Sequence, residues 1–134
     1  MLGQLIEQAH QFTIIDMEAS VEPMSRGTVR HADTVLIVLK PYYRSLETAG
    51  RMAPLARGLG SRVYGVANKL RSAADEAAVA DSCATHDSEL VARSPFDEAI
   101  VEADRAGKAL IDHNPDSPAM LAIRELAGRL IQAT

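Results

Sequence analysis

Apolar residues along the chain fall into two rhythms. Val35-Leu-Ile-Val-Leu39 is an unbroken β-favouring run without alternation, which predicts a strand covered on both faces and therefore set inside a parallel sheet. Phe12 to Asp16 and Val63 to Ala67 read as two further strands, and a short fourth is expected near Leu90 to Ala92. Between them the spacing changes to that of helices. Leu2, Leu5, Ile6 and Ala9 share one face, and Leu46, Ala49, Ala53, Ala56 and Leu59 form a stripe closed by Gly60, a glycine stop signal. Pro54 lies inside that stripe and should bend the helix or weaken its first turns. Residues 17–30 read as a loop running into a short helix, and residues 73–85 as a polar helix. Asp97 can cap a helix reaching Ala106, and Ser117-Pro118 opens a last one whose Ile123, Leu126, Ala127, Leu130 and Ile131 are expected to face inward. Strands alternating with helices imply right-handed crossovers, so the fold class is α/β: a parallel sheet of about four strands flanked by helices. No linker or repeat divides residues 1–134, and a single domain is expected.

Composition narrows the partners. The 134 residues are 47% hydrophobic and 24% charged, with a formal net charge of −4, and no segment supplies the cationic surplus that nucleic acid or an anionic membrane requires. No apolar run approaches the length of a bilayer span, and no secretory leader is recognisable, so a cytoplasmic location is expected. The single Cys83 reads as structural or incidental. His10, His31, His86 and His113 are scattered without metal-ligand spacing.

Ligands of parallel α/β sheets bind at the carboxyl ends of the strands. At those ends the sequence puts Asp16 and Glu18, Lys40 and Pro41, Asn68 and Lys69, then Ser94, Pro95 and Phe96. A carboxylate directly after an apolar strand suits magnesium, which keeps several waters and needs an anion to hold them; Asp16 is that candidate, with a turn cap as the alternative. Glu18 and Glu22 are loop carboxylates that either touch a ligand or partner or are simply solvated. Asn68-Lys69 resembles the start of the Asn-Lys-x-Asp signature that reads guanine, but the fourth position is Arg71. Guanine's two donors need a carboxylate acceptor, whereas one Asn amide can match the acceptor and donor of adenine. The pair therefore points to ATP, against the alternative of a turn Asn. Gly60 to Gly65 has the spacing of a phosphate loop but continues into Val66-Ala67 rather than Lys and Ser or Thr, and no other segment offers the amides and lysine that grip the β and γ phosphates. Arg26-Gly27-Thr28 reads as a cationic loop element able to sense a phosphate or a partner, against the alternative of a plain loop.

As a set, Ile15 to Ala19, Glu22 to Thr28, Val35 to Pro41, Ser45 to Ala49, Leu55 to Gly60, Ala67-Asn68-Lys69, Pro95-Phe96-Asp97 and Ala103 to Gly107 resemble the deviant-Walker ATPases related to MinD, ParA and the nitrogenase iron protein. Within them the pattern is most similar to the CooC group, nickel-insertion ATPases of carbon monoxide dehydrogenase. The resemblance implies ATP and magnesium as ligands, with Asp16 near magnesium through water and Asn68, Lys69, Pro95 and Phe96 around the base. Glu18, Glu22, Arg26 and Gly27 would form a switch at a dimer interface. Ser20 replaces a common Gly there, and Pro23 a common His. The family's phosphate loop and Cys-x-Cys motif have no counterpart in these residues. The family fold also sets the phosphate-loop strand between Phe12–Asp16 and Val35–Leu39. The expectation is the C-terminal half of such an ATPase, inactive alone, whose partner is a second copy or a chain supplying the phosphate loop, with a nickel enzyme as client. A noncatalytic interaction or dimerisation module derived from such an ATPase is the alternative.

Overall fold

The computed structural model describes residues 12–18 and 28–133. A 3-10 turn at Thr28–His31 leads into three strands, β1 (Thr34–Leu39), β2 (Arg62–Leu70) and β3 (Glu89–Pro95). All pair in parallel in the order β1-β2-β3. Helix α1 (Tyr43–Gly58) crosses from β1 to β2, and α2 (Ala73–Thr85) from β2 to β3. Then follow α3 (Glu98–Arg105), a single turn α4 (Leu110–His113) and α5 (Pro118–Gln132).

The crossovers form because each helix carries a stripe of small residues that fits the sheet. Ala49, Ala53 and Ala56 of α1 and Val79 and Cys83 of α2 are buried with Ile37, Leu39, Val63 and Ala67 in one cluster, closed at the side by Val29. Two glycines set how closely these layers approach. A Cβ on Gly65 of β2 would lie 2.6 Å from Cys83 Sγ, and one on Gly50 of α1 would collide with the His86 imidazole. Helix α1 runs on through Pro54 and ends where Gly60 takes a positive φ of 91°, the backbone state that glycine reaches at least cost.

Three expectations are corrected. The sheet has three strands among the described residues, not four: residues 12–18 carry no regular pairing, Ile14 is 94% exposed, and of this segment Met17 packs against the core. A strand exists only where a neighbour completes its ladder, and the resemblance puts an intervening strand between this segment and β1 that no described residue supplies. For the same reason β1 is not covered on both faces. Ile37 and Leu39 are buried under α1, but Leu36 and Val38 on the opposite face are 36% and 55% exposed. In α5 the buried residues are Ala119 and Met120, while Ile123 and Ile131 are exposed. That helix packs along β3, an edge strand, and a single strand offers only a narrow strip to cover.

Candidate functional site

The carboxyl ends of β2 and β3 meet in a tightly tied junction. Strand β2 shifts register against β3 between Ala67 and Leu70, where Lys69 has a left-handed φ of 59°, a state that costs a non-glycine residue about 1 kcal/mol or more unless neighbours hold it. The holder is Asn68: its side-chain Oδ1 accepts from the Lys69 N–H at 2.9 Å. This bond fixes which way the amide faces and leaves its NH2 end for other partners. One residue on, Leu70 pairs with Pro95 of β3, and its carbonyl accepts from the Phe96 N–H at 2.8 Å. The Arg71 guanidinium then lies over the Phe96 ring, 3.7 Å from its centroid, a cation–π contact worth about 0.5–1 kcal/mol at an exposed position.

Both flanks of the junction are anchored by helix caps. Ser72 accepts from the Asp75 N–H at the start of α2, and the Asp75 carboxylate accepts from the Arg71 N–H at 2.8 Å, a reciprocal arrangement of the capping-box kind. Asp97 does more than the local cap expected of it. One carboxylate oxygen accepts from Ala99 N at 3.0 Å in α3, and the other from Ala119 N at 2.9 Å in α5. The Ala119 bond, with those from Ala99 and Ser117, outweighs partial burial and holds the Asp97 carboxyl below its ordinary value.

The structure thus brings Asn68, Lys69, Pro95 and Phe96 to one end of two adjacent strands. Lys40, after β1, is exposed, and its N–H donates to Ser45 Oγ at 2.9 Å. Asp16 and Glu18 are exposed and belong to no strand. Glu22, Arg26 and Gly27 lie outside the described residues. Among the described residues no group of three His, Cys, Asp or Glu side chains comes together as a metal cage. A lone exposed carboxylate such as Asp16 suits magnesium only where phosphate and water complete the shell. Cys83 is buried, and burial pushes its thiol up while Arg93 opposes. No helix among the described residues is long and apolar enough to cross a membrane.

Sequence reasoning found the strand-end residues but missed the Arg71–Phe96 stack and the second cap made by Asp97. The first signal was available, since Arg71 replaces the expected acid. The second joins residues 22 positions apart and has no local signature.

A three-stranded parallel sheet with crossover helices, and with Asn68, Lys69, Pro95 and Phe96 at its carboxyl edge, defines an α/β protein of the MinD type. The solved structure of the MinD cell division protein of Aquifex aeolicus superposes with a TM-score of 0.66 at 25% identity, covering 79% of this chain and 47% of that one. In sequence, the chain is 38% identical over 116 residues to the carbon monoxide dehydrogenase accessory protein CooC of Rhodospirillum rubrum, covering 86% of this chain and 43% of CooC. It is 34% identical over 134 residues to the uncharacterized ATP-binding protein MJ0823 of Methanocaldococcus jannaschii, covering 98% of this chain and 51% of that protein. No family model matches. The chain is similar in sequence to CooC and to ATP-binding proteins and in fold to MinD, and it spans about half the length of the curated relatives it matches.

Proposed function

We propose that this chain forms the purine and magnesium side of an ATP-binding unit that serves the ATP-driven insertion of nickel into a carbon monoxide dehydrogenase. The observation that carries the reading is that Asn68 and, through the pairing of Leu70 with Pro95 and Phe96, the end of β3 lie at one sheet end, in a chain 38% identical to an accessory protein of that enzyme. Asn68 reads the base with its oriented amide, and Pro95 and Phe96 wall it. Asp16 holds magnesium through water. Bound magnesium would neutralise charge on the β and γ phosphates. Phosphoryl transfer relies on clamping those phosphates, and these 134 residues contain no Gly-x-x-x-x-Gly-Lys segment followed by Ser or Thr. Turnover therefore requires a polypeptide that supplies the clamp.

The open side of β1 is where such a polypeptide fits. Among the described residues no strand pairs with its outer edge, which is ready to take a further parallel strand, and Leu36 and Val38 are the apolar surface that the added unit would cover. A cytoplasmic setting and a nickel enzyme as client complete the proposal. Calorimetric titration with ATP and magnesium tests it: Asn68→Ala should weaken binding about tenfold, the loss of one or two hydrogen bonds, and Asp16→Ala should remove its dependence on magnesium. Binding that neither change disturbs would dispose of the site.

A further inference from the structure

We infer that Arg71 is the base platform and the specificity-determining residue of this purine site, a reading that rests on the nucleotide function proposed above. Its guanidinium already lies over one face of Phe96, 3.7 Å from the ring centroid, and Arg71 is otherwise exposed. A planar, weakly hydrated cation stacks on nucleobases as readily as on phenyl rings, so its outer face is a ready-made seat for a purine.

The seat is fixed before any ligand arrives. The Arg71 backbone N–H donates to Asp75 Oδ2, the Phe96 N–H donates to the Leu70 carbonyl, and Asp97, next to Phe96, is held between the first turns of two helices. A platform ordered in advance spares the ligand that ordering cost.

The polarity of the rim selects the base. Asn68 Oδ1 accepts from the Lys69 N–H and keeps a second lone pair, and none of Asn68, Lys69 and Arg71 carries a carboxylate. Adenine presents a ring acceptor beside an NH2 donor, which the NH2 and the remaining Oδ1 lone pair of one Asn amide can match. Guanine's Watson–Crick edge presents an N–H and an NH2 that call for a carboxylate, which Asn68, Lys69 and Arg71 do not supply, and a site that leaves such groups unpaired discriminates strongly. Arg71 is thus the platform beneath the base, and its position lacks the acid that guanine would need.

The test is an NMR titration of the isotope-labelled chain with ADP and with GDP in magnesium, comparing wild type, Arg71→Lys, Arg71→Asp and Asn68→Ala. Wild type should prefer ADP, with shifts at the Arg71 side chain and the Phe96 ring. Arg71→Lys keeps the charge but loses the plane, and should weaken ADP about five- to tenfold. Arg71→Asp restores the acceptor of Asn-Lys-x-Asp and should move the ADP-to-GDP preference at least about tenfold toward GDP. Unchanged spectral dispersion of both variants establishes that they fold. If Asn68→Ala weakens ADP while both Arg71 variants keep wild-type affinity and preference, the platform is overturned and the nucleotide reading stands. If the wild-type chain shows no shifts with either nucleotide, both fall together.

Discussion

Asp97 joins two helix starts through one carboxylate. Its folded value is lowered, so its stabilisation is fully present above the ordinary carboxyl range, near pH 3.9, and is lost as pH falls through the lower folded value. Asp97→Asn should therefore lose stability at neutral pH, by about 1 kcal/mol for each weakened cap, yet show a shallower decline than wild type between about pH 5 and pH 2. Denaturant midpoints across that range check both signs, and parallel acid profiles would remove Asp97 from the account. Gly65 acts through space rather than charge. Gly65→Ala drives a methyl against Cys83 Sγ, 2.6 Å from the new carbon, and should cost about 1–3 kcal/mol of overpacking. Shrinking the obstacle with Cys83→Ala in the same chain should return part of that loss, and a double variant no better than the single one would contradict the contact.

At the scale of elements, what the sequence made legible depended on whether a neighbour was local. Residues 73–85 were expected to be helical, and α2 has those bounds, because Ser72 and Asp75 cap it within one turn. Ser117-Pro118 likewise opens α5 at the residue expected, with Ser117 Oγ accepting from Met120 N; Ser117→Ala should cost about 1 kcal/mol in thermal or chemical melts. Where an element's state depended on a distant partner, the reading failed. Phe12 to Asp16 has the composition of a strand but no ladder, and Ile123 and Ile131 have the periodicity of a core face but no second layer to cover them. The candidate site divides in the same way. Asn68-Lys69 and Pro95-Phe96 were visible as strand ends, whereas the Arg71 stack and the α5 bond of Asp97 depend on how β2, β3 and the last helix meet.

For the molecule as a whole, the edge of β1 that no described residue pairs with and the exposed Leu36 and Val38 make association the expected behaviour at high concentration. Val38→Lys puts a charge on that surface, a common natural guard of open edges. It should leave the denaturation midpoint within about 0.5 kcal/mol of wild type, as exposed substitutions do, while lowering the apparent mass in sedimentation. Equal mass for both proteins at every concentration would argue against β1 as the associating surface.

Cys83 lies beneath Gly65, on the far side of β2 from solvent, at the last full turn of α2. A thiol so placed reacts only when α2 lifts from the sheet, so its labelling rate under excess reagent is a clock for that breathing motion. A nucleotide seated across the ends of β2 and β3 would hold the beginning of the same helix in place, and the clock should run slower in its presence without any label at the site itself.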